Sequence, residues 1–155
     1  MKALVIIVRG LHLGYLGCYG NEWIATPGFD RLAAEGAVFD QHFADCPCAE
    51  GAMRAWQTAR YVFPGVAAES AASLDLFREL SAGAVRTHLV TAGETLSGAD
   101  WQRVRTVEPQ IDAVLEAASA ELEELSGNDS WLLWVDFGSL APPWDVPDEF
   151  LARYP

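Results

Sequence analysis

The chain has 155 residues, 51% hydrophobic and 21% charged, so it reads as one globular domain, residues 1–155, able to bury about two-thirds of its unfolded surface. Its net charge of −12 excludes a general nucleic-acid binder, which needs clustered Lys and Arg, and disfavours adsorption to an anionic membrane. No apolar run approaches the ~20 residues needed to span a bilayer.

Met1-Lys2 and the apolar stretch Ala3 to Val8 superficially resemble a signal peptide. Arg9 stops that stretch after six residues and no small-residue cleavage site follows, so the expected compartment is the cytoplasm. The same stretch, ALVIIV, fits a strand buried on both faces of a parallel sheet. Gly10, Gly14, Gly17 and Gly20 then break regular structure, giving a loop over 9–22. Thr26-Pro27 predicts a helix start, with Thr as cap, Pro in the first turn and Gly36 as the stop. Val38 to Phe43 is expected to be extended, and 44–51 a loop. Ala52 to Tyr61 reads as a short helix with Trp56 as a core anchor.

Leu74 to Leu80 predicts an amphipathic helix beginning after Ser73 and stopping near Gly83, and Thr87 to Thr91 a strand. Glu108 to Leu125 predicts a longer helix with Ile111, Val114, Leu115, Ala118, Leu122 and Leu125 as its apolar stripe. Glu121, Glu123 and Glu124 are expected on its solvated face. Trp131 to Phe137 reads as a third buried strand, followed by an irregular Pro-rich tail. Strands alternating with helices predict a three-layer α/β/α fold with a mainly parallel sheet. The cysteines are Cys18, Cys46 and Cys48, an odd number that argues against a disulfide framework. Cys46-Pro47-Cys48, with His12, His42 and His88 scattered, makes no zinc-binding pattern.

Several stretches resemble one family. Leu16 to Asn21 reads LGCYGN, and Thr26 to Gly36 follows the pattern T-P-x-x-D-x-L-A-x-E-G, with Phe39 just beyond. Thr58-Ala59-Arg60-Tyr61 is similar to T-G-R-Y, and Pro143-Trp144 through Pro147, Glu149-Phe150 and Tyr154 to a P-W-x-x-P-x-x-[FY] tail. These stretches resemble the sulfatases of the alkaline-phosphatase superfamily, most closely over 3–61 and 131–155. The resemblance implies an alkaline-phosphatase-like fold, here truncated because the later part of the family fold is absent. For intact members it implies calcium, held by adjacent Asp residues at the end of the first strand and by ligands from much later in the chain. It also implies a Cys or Ser nucleophile, converted to formylglycine, in C/S-x-P-x-R. Hard oxygen ligands suit such a cation, which offsets charge on the sulfuryl oxygens.

Alignment through LGCYGN puts the Asp pair at Arg9 and Gly10, so no cofactor is expected for this chain. The nucleophile position falls on Cys48, with Arg54 six residues on, or on Ala49, with Met53 at the Arg position. Neither register restores the motif. Ala141 stands where the family's tail often has His, and Asp136 reads as structural.

The expected function is that of a catalytically inactive sulfatase-like module acting by binding. A homo-oligomer or a protein partner is expected to cover exposed sheet edges. The alternative is a divergent metal-dependent sulfuric or phosphoric ester hydrolase, with Cys48 as nucleophile and Arg9, Arg54 and Arg60 holding a small anion. An unrelated α/β domain binding an anion at a helix N-terminus is a third reading.

Overall fold

A computed structural model describes residues 1–62, 75–93, 100–140 and 148–152. Four strands, β1 (Lys2–Arg9), β2 (Arg86–Thr91), β3 (Arg103–Thr106) and β4 (Trp131–Ser139), form one parallel sheet in the order β1-β4-β2-β3. The helices are α1 (Pro27–Glu35), α2 (Ala49–Thr58), α3 (Leu76–Ala82), α4 (Ile111–Ser126) and α5 (Asp148–Leu151).

The alternation along β4 separates two cores. Trp131, Leu133 and Val135 face α4 and pack with Val90, Val114, Ala117 and Leu125. Leu132 and Trp134 face the other side and pack with Phe77 of α3, Val85 and Leu89. The expected three-layer α/β/α arrangement is therefore present, with α3 on one face of the sheet and α4 on the other. Trp56 of α2 was expected as a core anchor. Its ring meets that of Trp134 at 6.1 Å, yet it stays 44% exposed, so it covers the α3 face from the rim.

Several local expectations need correction. Val38 to Phe43, expected to be extended, is interrupted by a turn at Asp40-Gln41. The β3 edge strand was missed because all four of its residues are exposed and carry no apolar alternation. Helix α2 starts at Ala49, three residues earlier than its apolar content suggested, and α4 starts at Ile111. Thr26 precedes α1 as expected, but its hydroxyl makes no cap bond. It accepts from Gly17 N at 2.8 Å and donates to Asp30 at 3.3 Å, tying α1 to the preceding loop. Gly36 ends α1 in an extended conformation, where an added Cβ would crowd the carbonyl of Leu32. The expected start at Ser73-Leu74 and the tail 141–147 with Tyr154 lie outside the described residues.

The largest correction concerns α4. Its buried positions are Val114, Ala117, Glu121 and Leu125, while Ile111, Leu115 and Leu122 are exposed. The helix is rotated relative to its most hydrophobic stripe, and Glu121, expected in solvent, is 1% exposed. Its carboxylate meets His88 Nδ1 at 2.7 Å, Arg103 Nε at 3.3 Å and Arg105 Nη1 at 3.8 Å. This cluster fastens the edge strand β3 to α4.

Strand β1 is an edge of the sheet among the described residues. Leu4 pairs in register with Leu133 and Ile6 with Val135, which puts both on the α4 side. They are nonetheless 47% and 57% exposed, so α4 leaves β1 bare.

Candidate functional site

In a parallel sheet the strand C-termini share one edge, the usual place for ligands. Here β1 ends at Arg9, β2 at Thr91, and β4 passes Asp136 at the same level, since Asp136 is in register with both Ile7 and Thr91. Asp136 has a side chain only 3% exposed and accepts Arg9 Nε at 3.2 Å. The same oxygen, Oδ1, accepts the backbone N–H of Gly138 at 2.9 Å, and the Asp136 carbonyl accepts Ala92 N at 3.1 Å. The other end of the guanidinium lies against Gly93, where an added Cβ would come within 2.8 Å of Arg9 Nη2.

Arg9 is thus built into the strand edge, and Asp136 is the carboxylate that holds it. Gly138 has φ +76°, a conformation strained for any residue with a Cβ. Gly138→Ala is expected to lower the unfolding free energy by about 1–2 kcal/mol, read as a lower urea midpoint at unchanged slope.

These residues do not fit the divalent cation that the sulfatase resemblance implies. Arg9 puts a fixed positive charge at one of the two expected ligand positions, and Gly10 offers only backbone. Among the described residues the carboxylate that meets Arg9 is Asp136, and it is already bound to it. Among the described residues no three His, Cys, Asp or Glu side chains converge on a metal position.

The other candidates lie on and around α2. Cys48 is the residue preceding its first turn and is exposed. Its Sγ lies 2.9 Å from Cys46 Sγ. The hydrogen bond from Cys46, helped by a backbone bond from Gly51, pulls the Cys48 thiol below its ordinary pKa. The same bond to Cys48 raises the pKa of Cys46. In the other register Ala49 opens α2 and Met53 is buried beneath it. Arg54 is exposed on α2, and exposed Arg60 follows the left-handed turn at Ala59, φ +53°. Among the described residues no hydrogen bond or ion pair joins Arg9 to Cys48. The structure therefore brings together Arg9 with Asp136, and Cys48 with Cys46. Neither the Arg9–Asp136 pair nor the proximity of Cys46 to Cys48 was foreseen, although C-x-C spacing was a signal for the second.

The parallel sheet with helices on both faces is an alkaline-phosphatase-like α/β fold. A crystal structure of a protein in the alkaline phosphatase superfamily from Vibrio parahaemolyticus superposes with TM-score 0.75 at 18% identity, over 95% of this chain and 42% of that one. The C-terminal periplasmic domain of EcEptC from Escherichia coli, in complex with Zn, superposes with TM-score 0.61 at 14% identity, over 87% of this chain and 42% of that one. No protein-family model matches. Steryl-sulfatase of Rattus norvegicus is 38% identical over 96 residues, 61% of this chain and 16% of its own length. Human steryl-sulfatase is 38% identical over 81 residues, covering 52% of this chain and 14% of that protein. Human arylsulfatase D is 42% identical over 60 residues, 39% of this chain and 10% of its own length. Up to 61% of the chain is thus similar in sequence to sulfatases, and this partial coverage fits an N-terminal portion of such proteins. The chain spans about one sixth of the length of the steryl-sulfatases it matches.

Proposed function

We propose that this chain is a sulfatase-fold module that binds and does not turn over sulfate esters. The observation that supports this reading is the Arg9–Asp136 pair, with Arg9 standing where the resemblance puts one of the family's metal-binding Asp residues. A guanidinium can attract an anion, but it cannot coordinate and activate an oxygen nucleophile as a metal ion does. The exposed side of β1, with Leu4 and Ile6, and the exposed Ile111, Leu115 and Leu122 of α4 support a role in association, because a bare sheet edge beside apolar side chains tends to pair. The occupant we assign is a second copy of the chain or a protein partner. Light scattering at micromolar concentration is expected to show self-association, and a clean monomer would count against the second copy. No helix among the described residues is long and apolar enough to cross a membrane. The cytoplasm is the compartment we assign, and three free thiols support it.

The activity test uses an aryl sulfate and an aryl phosphate, with and without calcium. The expected result is no turnover above background in any condition. Cys48, with its lowered thiol pKa, favours the second reading, a divergent hydrolase in which Arg54 and Arg60 help hold a small anion. Turnover that Cys48→Ala abolishes would establish that second reading and overturn the first.

A further inference from the structure

Cys48 enters the hydrolase reading alone; its pairing with Cys46 beside α2 is used by neither the resemblance nor the proposed function. Residues 45–48 bend so that two cysteines separated by one proline bring their sulfurs to 2.9 Å. Position 51 is what permits this approach. A Cβ there would overlap Cys46 Sγ and stand 3.0 Å from Cys48 Sγ, so only glycine leaves room for both sulfurs. Glycine weakens a helix relative to alanine, and here it sits in the first turn of α2 with the space of a Cβ filled by sulfur. Asp45 anchors the bend from outside, its carboxylate accepting Val62 N at 2.5 Å. Cys48 is exposed and Cys46 partly so, and both are reachable from solvent. Cys18, the third cysteine, has no thiol partner among the described residues.

We propose that Cys46-Pro47-Cys48 is a thiol–disulfide exchange site that reduces a small-molecule disulfide and closes to a Cys46–Cys48 disulfide. The Cys48 thiolate attacks one sulfur of the disulfide RSSR, forming a Cys48–SR mixed disulfide and expelling RS⁻, which takes up a proton. Cys46 then gives up its proton and attacks Cys48 Sγ, breaking the bond to SR and releasing the second RSH. The sum is two protein thiols plus RSSR giving one protein disulfide plus two RSH. Two electrons pass from the protein sulfurs to RSSR. Either sulfur could donate across the 2.9 Å contact; we assign the proton to Cys46, in line with the raised Cys46 and lowered Cys48 thiol pKa, so that Cys48 is the thiolate of the first step and Cys46 stays protonated until the second. Such a disulfide, formed and reduced again, is the kind that a reducing compartment tolerates.

The test exposes the full chain to oxidised glutathione across a series of glutathione ratios, quenches with N-ethylmaleimide and maps the tryptic peptides by mass. The expected result is that the peptide carrying Cys46 and Cys48 loses two hydrogens and takes no label, while Cys18 stays labelled. Dithiothreitol should reverse this. Cys46→Ala should convert the outcome to a lasting glutathione adduct on Cys48, and should move the pH midpoint of Cys48 alkylation upward, because the donor that stabilises its thiolate is gone. Gly51→Ala, which keeps both thiols but displaces them, should slow closure about tenfold or more at unchanged circular dichroism. The proposal is overturned if both thiols remain labelled in excess oxidised glutathione. It is equally overturned if the unaltered chain holds a stable glutathione adduct, or if Gly51→Ala closes as fast as the unaltered chain. These readouts are independent of ester turnover, so they separate this site from the hydrolase reading.

Discussion

Glu121→Ala is expected to lower the unfolding free energy by about 3–4 kcal/mol, a large share of the 5–15 kcal/mol typical of a single domain. The carboxylate is buried at 1% exposure and receives His88, Arg103 and Arg105. Its removal leaves His88 Nδ1, itself buried, with no acceptor and opens a cavity between α4 and β2. The two arginine side chains are about half exposed and can turn to water, which keeps the loss below the upper end for a broken buried pair. Glu121→Gln retains an acceptor for His88 and should cost about half as much. Glu124→Ala removes an exposed bond to Arg103 and should cost no more than ~0.5 kcal/mol. Urea unfolding with constant slope would measure all three. A loss of under about 1 kcal/mol for Glu121→Ala would show that His88 finds another partner and that the cluster does not hold β3.

The same residue explains what the sequence concealed. The strands ALVIIV, THLVT and WLLWVDF are legible because continuous β-branched and aromatic runs bounded by turn residues have few other solutions. Helix α4 is also legible, but its orientation is not. Two stripes overlap, the predicted one through Ile111, Val114, Leu115, Ala118, Leu122 and Leu125 and the buried one through Val114, Ala117, Glu121 and Leu125, sharing only Val114 and Leu125. Periodicity selects the more apolar stripe. The fold selects the other because His88, Arg103 and Arg105 on β2 and β3 supply partners for a buried carboxylate, and that complementarity is invisible until strands far apart in sequence are placed side by side. Strand β3 is hidden for the related reason that RVRT spends its side chains on ion pairs and solvent. At the candidate site, Arg9 and Asp136 are separated by 127 positions. Each could be singled out alone, yet only the register of β1 against β4 makes them a pair. The proximity of Cys46 to Cys48 depends on a bend and on the missing Cβ of Gly51, neither of which motif spacing encodes.

Arg9→Asp is expected to lower the unfolding free energy by about 4–5 kcal/mol at neutral pH. It removes the charge partner of the buried Asp136 and substitutes a second negative group in its place. Arg9→Ala removes the partner without adding repulsion and should cost about 3 kcal/mol, moderated because Arg9 is 28% exposed and water can reach the vacated space. Asp136→Asn keeps an acceptor for Gly138 N and leaves a partly exposed arginine, so it should be milder than either. The informative variant combines Arg9→Asp with Gly10→Asp, which rewrites the residues where the sulfatase resemblance puts the metal pair. Gly10 has φ +82°, so a carboxylate at that position carries a further backbone cost of about 1 kcal/mol and is held in a direction set by a strained turn. Calcium is therefore expected to leave the thermal midpoint of the double variant unchanged. A ligand that bound the folded state at a hundred times its Kd would add about 2.7 kcal/mol, an effect easily seen in a domain so weakened. A clear calcium-dependent rise would show that this strand edge retains a metal cradle lacking only its first two carboxylates, and would overturn the conclusion that these residues do not fit a cation. No rise, together with the ordered loss from Asp136→Asn through Arg9→Ala to Arg9→Asp, would show that the Arg9–Asp136 bond is part of the scaffold at the strand edge where parallel α/β sheets usually bind ligands.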